Sequence, residues 1–159
     1  MNYQFTLNVS GATPETEDFE DKLFEAGCDD ALVCFYGSNP YLEFDREADS
    51  AYKAITSAIA DVQEAGYQVV SIEEAGQVTL SGAAHHSQIS KQALNNYARG
   101  KRGPGGFPAP CYGLQTGTPL YSWLAITDWL VRNGKAGAAL AEVAGAAVQI
   151  ETTFHDSVA

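Results

Sequence analysis

Apolar and polar residues alternate at the start of the chain, where Tyr3, Phe5, Leu7 and Val9 are separated by Gln4, Thr6 and Asn8. A period of two sends alternate side chains to opposite faces, so the opening predicts a half-buried strand. Over residues 16–26 the period lengthens: Phe19, Leu23 and Phe24 fall on one helical face and Gly27 supplies a stop. Residues 31–36, ALVCFY, are an unbroken apolar run of the kind a buried strand carries. Gly37-Ser38-Asn39-Pro40 predicts a turn, and Tyr41, Leu42 and Phe44 another short strand. Residues 49–65 place Ala51, Ile55, Ala58, Ile59 and Val62 at helical spacing before Gly66, and residues 67–72 predict a last strand.

The predicted order is β-α-β-β-α-β. It implies a ferredoxin-like module, two split βαβ units with both helices on one face of an antiparallel sheet. Residues 1–76 are enough for one small core. The expected fold class is therefore α+β, with this module followed by a different pattern.

That second pattern occupies residues 80–102, LSGAAHHSQISKQALNNYARGKR. A helix-turn-helix needs a small residue where its helices cross, and Ala84 fits. Ile89, Leu94 and Tyr97 then bury one face of a second helix that begins near Ser90. Ser90 is an N-cap candidate, with Ile89 and Leu94 at the two positions of a hydrophobic staple. The opposite face carries Lys91, Gln92, Asn95, Asn96 and Arg99. Amides pair bidentately with adenine, and Lys or Arg pair with guanine or phosphate, so this chemistry suits a major groove. Two positions depart from the usual pattern: Ser87 stands where a leucine fills the core, and Gln88 where the turn has glycine.

Gly100-Lys101-Arg102-Gly103-Pro104-Gly105-Gly106 follows, too rich in glycine for regular structure and carrying two cations, which predicts a flexible loop lying on phosphates. Phe107-Pro108-Ala109-Pro110 starts an extended segment, and residues 112–121, with Gly117 in the middle, predict a hairpin or wing. Residues 121–132 place Trp123, Ile126 and Leu130 on one helical face, closed by Asn133-Gly134.

On the residues ISKQALNNYARG, GGFPAP and WLAITDWL, the region 77–134 resembles the winged helix-turn-helix of the excisionase and MerR-like superfamily. The resemblance implies that the second helix enters the major groove and the wing contacts backbone or minor groove. It thereby implies double-stranded DNA as partner. Ser90, Lys91, Gln92, Asn95, Asn96 and Arg99 are the implied contacts on the helix, and Lys101 and Arg102 the implied phosphate contacts.

The whole-chain charge of −11 runs against a phosphate-binding protein, but it is unevenly distributed. Residues 1–76 hold 16 carboxylates against Lys22, Arg46 and Lys53, a net −13, whereas residues 77–134 carry a net +4 and residues 135–159 a net −2. The expected organisation follows these steps: 1–76 an acidic module, 77–134 a DNA-binding domain, 135–159 an Ala-rich helix and frayed tail. The tail has Leu140, Val143, Ala144, Ala147 and Val148 on an apolar stripe, with fraying expected from Glu151. Glu15, Glu17, Asp18, Glu20, Asp21 and Glu25 crowd the start of the first helix, where carboxylates suit the helix dipole. They read either as a solvated face or as a surface that masks the basic wing or binds another protein.

Catalytic chemistry finds no support. Cys28, Cys34 and Cys111 lack paired ligand spacing and read as small buried apolar residues of a reducing cytoplasm. His85 and His86 diverge by about 100° on a helix and do not share a metal. No phosphate-cradle, dinucleotide or nucleophile-elbow motif occurs. Neither an enzyme nor a cofactor or metal is expected, and no apolar run is long enough to span a membrane. The sequence thus predicts a DNA-binding transcriptional regulator, a repressor or mobile-element control protein. A single +4 head binds weakly, so a homodimer on an inverted repeat is expected. The competing expectation is an antitoxin-like adaptor or inhibitor that meets a protein partner through its acidic module.

Overall fold

The computed structural model of the chain describes residues 1–156. They form a mixed α+β protein in two compact units, Met1–Glu74 together with the described residues from Ala146 on, and Ala75–Gly145.

In the first unit β1 (Asn2–Ser10) buries Tyr3, Phe5, Leu7 and Val9 on one face, as the alternation predicts. It pairs antiparallel with β3 (Asn39–Glu47) and β4 (Gln68–Ile72), and β2 (Ala31–Tyr36) pairs with β3, in the sheet order β2-β3-β1-β4. Phe5 and Phe44 stack at 5.2 Å across β1 and β3. The apolar faces of α1 (Phe19–Ala26) and α2 (Ala51–Glu64) supply the rest of the core: Phe19 and Leu23 from α1, and Ala51, Ala54, Ile55, Ala58, Ile59 and Val62 from α2.

Four details differ from the sequence reading. Helix α1 starts at Phe19 because Thr13 and Thr16 form a turn of their own, Thr16 N donating to Thr13 O at 3.0 Å. Phe24 is 51% exposed, since an eight-residue helix has only the Phe19–Leu23 line turned inward. Pro40 belongs to β3 and not to the turn. It has no N–H to give, and pairing with β1 stops one residue short of it, at Asn8–Tyr41. Finally, the run 31–36 is the edge strand of the sheet and not a buried strand.

One cation sits inside this acidic unit. Arg46, 8% exposed, donates to both oxygens of Asp30 (2.7 and 2.9 Å), to Asp61 Oδ2 (2.9 Å), to Ser57 Oγ (3.1 Å) and to Gly27 O (2.9 Å). Its guanidinium is thereby satisfied by the end of α1, the start of β2 and α2, which a buried charge requires. Glu74 is buried as well. Its Oε1 accepts from Thr6 N at 2.9 Å, on the side of β1 that β4 covers only as far as Leu7–Ile72. Burial, stronger than this hydrogen bond, pushes the Glu74 carboxyl up to about 7.

The second unit is helical with one short ladder, β5 (Gln77–Val78) against β6 (Tyr121–Ser122). Helices α3 (Leu80–Ser87), α4 (Lys91–Ala98) and α5 (Trp123–Arg132) close on Ala83, Leu94, Tyr97, Trp123, Ile126, Trp129 and Leu130. The expected hairpin over 112–121 reduces to a single bridge, Tyr112–Leu120, because β6 pairs with β5. Helix α6 (Ala138–Asp156) does not fray at Glu151: that side chain accepts from Ile72 N at 2.8 Å, and Ile150 is buried. The remainder of the expected tail, 157–159, lies outside the described residues. Among the described residues no helix is long and apolar enough to cross a membrane.

Candidate nucleic-acid interface

The helix pair is set up by local chemistry. Thr79 caps α3, its hydroxyl accepting from Gly82 N at 3.0 Å, and Ser90 caps α4, accepting from Ala93 N at 3.1 Å. Between the helices Gln88 adopts the left-handed conformation at φ 62°, alone among the non-glycine residues described. Its N–H donates to Ala84 O, and its side-chain amide to His85 O at 3.1 Å. Ser87, in the place of a core leucine, has another use: its hydroxyl accepts from Ile89 N at 3.2 Å and tightens the turn. The fully buried alanine of α3 is Ala83. Ala84, expected at the crossing, is half-buried against the same core.

At about 100° per residue, Lys91, Gln92, Asn95, Asn96 and Arg99 fall on one arc of α4, opposite the buried Ala93, Leu94 and Tyr97. Lys91, Gln92 and Arg99 are exposed and Asn95 and Asn96 half-buried. Among the described residues the three amide side chains form no hydrogen bond, so their donors and acceptors are open to a ligand. Ser90 is exposed at the mouth of α4, with its oxygen engaged as the cap.

Lys101 and Arg102 are exposed too, but the loop that carries them is anchored and not free. Lys101 N donates to Asn96 O at 2.9 Å, and Gly100 N to Tyr97 O at 3.1 Å. The indole N–H of Trp129 donates to Gly105 O at 3.0 Å. Gly103 adopts φ 82°, and a Cβ there would meet Tyr97 at 3.2 Å and Trp129 at 3.4 Å, so the backbone lies directly on the two rings. Phe107 completes this aromatic floor, 5.2 Å from Trp129.

One cation absent from the sequence reading joins the group. Gly134, at φ 69°, ends α5 with Lys135 N donating to Leu130 O at 2.7 Å and Gly134 N to Val131 O at 3.1 Å. That reversal brings Lys135 Nζ to 5.7 Å from the centroid of the Tyr97 ring, the ring that also carries the Arg102 guanidinium at 5.8 Å. In sequence Lys135 is 33 positions from Arg102, and only the α5 stop signal hinted that its side chain would turn back.

The two units treat their cations differently. In the first, Lys22, Arg46 and Lys53 all pair with carboxylates. In the second, Lys91, Arg99, Lys101, Arg102, Arg132 and Lys135 form no ion pair among the described residues, and only Asp128 and Glu142 oppose them in charge.

The cysteines and histidines add no second site. Cys28 is buried, and burial together with the nearby Asp61 carboxylate pushes its thiol up to about 11. Cys34 is half-buried and Cys111 exposed, so the expectation of three buried cysteines holds only for Cys28. His86 packs against Trp123 at 5.5 Å. Among the described residues no three His, Cys, Asp or Glu side chains are grouped to hold a metal ion. Comparison with protein-family models, curated proteins and solved structures finds no match to this chain.

Proposed function

We propose that this protein is a sequence-specific DNA-binding regulator, a repressor or a control protein of a mobile element. We read α3, the Gln88 turn, α4, the basic loop and the segment closed by Tyr112–Leu120 as a winged helix-turn-helix. We read the β2-β3-β1-β4 sheet with α1 and α2 as a ferredoxin-like module. The observation that carries the proposal is the contrast in pairing. A chain of net charge −11 has carboxylates to spare, yet among the described residues the cations of its second unit pair with none of them, next to open amides on one face of α4.

In this reading Gln92, Asn95 and Asn96 read base edges from the major groove. Lys91, Arg99, Lys101, Arg102 and Lys135 hold phosphates, and Ser90 fixes the start of α4 at the backbone. Two such heads in a homodimer match an inverted repeat.

The test is selection of bound genomic fragments by the full-length protein and by Asn95→Ala/Asn96→Ala. Enrichment of one motif, lost in the double variant, is expected. A folded protein that enriches nothing at low salt overturns the proposal. That result would favour a protein partner at the first unit, where 18 carboxylates face three paired cations.

A further inference from the structure

We propose that β2 is where a second copy of this chain pairs with the first, edge to edge and antiparallel, around a two-fold axis at Cys34. The starting point is a conflict between composition and position. The strand ALVCFY has the composition of a buried strand, yet it lies at the edge of the sheet, with Leu32 62% and Tyr36 81% exposed and no residue of the six fully buried. Edge strands are ordinarily blunted by a lysine, a proline or a bulge. β2 has none of these. At the opposite edge of the same sheet the Ile72 N–H on β4 is already taken by Glu151 at 2.8 Å.

The register of the pairing follows from which backbone groups are open. Asp45 N donates to Asp30 O at 3.1 Å, so in an antiparallel ladder the even-numbered residues of this segment turn their N–H and C=O toward β3. Val33 and Phe35 therefore point theirs outward. Ala31 also points outward, but its N–H is already given to Cys28 O at 3.3 Å. Pairing Val33 with Phe35 of the second copy, and Phe35 with its Val33, uses both open positions. Cys34 then faces its own counterpart, and Leu32 faces Tyr36, so the two most exposed side chains of the strand cover each other on one sheet face.

The strand is its own complement: the open positions Val33 and Phe35 and the exposed Leu32 and Tyr36 stand symmetrically about Cys34, so a second copy satisfies all four at once. The first unit carries a net −15, and two such bodies repel wherever carboxylates meet. β2 is uncharged, so the paired strands themselves bring no carboxylates together. A foreign partner drawn to this unit by its charge would find none on β2. The inference stands on the first unit alone and does not need the DNA reading.

The experiment is sedimentation velocity on the full chain over a concentration series. Wild type and Cys34→Ser are expected to form dimers. Cys34→Lys sets two ammonium groups opposite each other on the axis and is expected to stay monomeric wherever wild type is dimeric. Within one copy that lysine has Glu43 for a neighbour. Tyr36→Asp, at a position exposed enough to leave folding untouched, is expected to act in the same direction, with an unchanged circular dichroism spectrum for both variants. In Cys111→Ser, mild oxidation is expected to give a covalent dimer that disappears when Cys34→Ser is added. A wild type that is monomeric throughout, or a dimer indifferent to both charged variants, overturns the proposal. A monomer that still selects one DNA motif would do so while leaving the functional reading intact.

Discussion

The indole N–H of Trp129 donates to the carbonyl of Gly105 at 3.0 Å, tying a core residue of α5 to the loop that carries Lys101 and Arg102. Trp129→Phe keeps an aromatic floor and removes the tie. Under the proposed function it is expected to weaken DNA binding at every salt concentration with an unchanged salt slope, because the charges persist and only their ordering is lost. A stability loss of about 1–3 kcal/mol accompanies it. Equal affinity from a folded Trp129→Phe protein would remove the anchoring role.

The proposed phosphate contacts and base contacts separate in a different measurement. Lys101→Ala, Arg102→Ala and Lys135→Ala are each expected to lower the slope of log affinity against log salt by about 0.9 on random-sequence duplex. Asn95→Ala and Asn96→Ala are expected to cost roughly 1–3 kcal/mol on the selected motif and little on random sequence. Uniform losses from the Asn variants on both duplexes would contradict the assignment.

Gln88 holds a left-handed backbone that glycine adopts without strain. Gln88→Gly is expected to raise stability by about 1 kcal/mol, or a melting temperature a few degrees higher. Gln88→Val, with its branched side chain, should lower it. A destabilised Gln88→Gly protein would mean that the amide bond to His85 O outweighs the strain.

The Glu74 carboxyl keeps its proton in the folded state up to about pH 7, against an ordinary value of 4.5, because burial penalises its charge. Between those values the unfolded chain loses the proton first. The stability this group contributes is thus fully present below pH 4.5 and lost as pH rises through 7. The difference amounts to about 3 kcal/mol. Glu74→Gln, which resembles the protonated form, is expected to match wild type in urea at about pH 4 and to exceed it at about pH 8. The same margin at both pH values would show that the titration is not responsible.

Much of the fold follows from local pattern. The alternation of Tyr3, Phe5, Leu7 and Val9, the cap at Ser90, and the stops at Gly27 and Gly134 act within a few residues, so a one-dimensional reading reaches them. The face of α4 that holds Lys91, Gln92, Asn95, Asn96 and Arg99 is fixed by helical geometry once Leu94 and Tyr97 are placed inside.

What the sequence could not determine depends on contacts between distant segments. Whether ALVCFY lies in the middle or at the edge of a sheet depends on which strands pair, and hydrophobic period carries no record of that. A flexible loop and an anchored one have the same glycine content; the difference is made by Trp129, 24 residues from Gly105. Arg46 reads as one more surface charge until Asp30, Asp61 and Gly27 surround it. Lys135 joins the basic group only because α5 reverses at Gly134 beside Tyr97. Short-range spacing determined which faces exist, and long-range packing decided what each face meets.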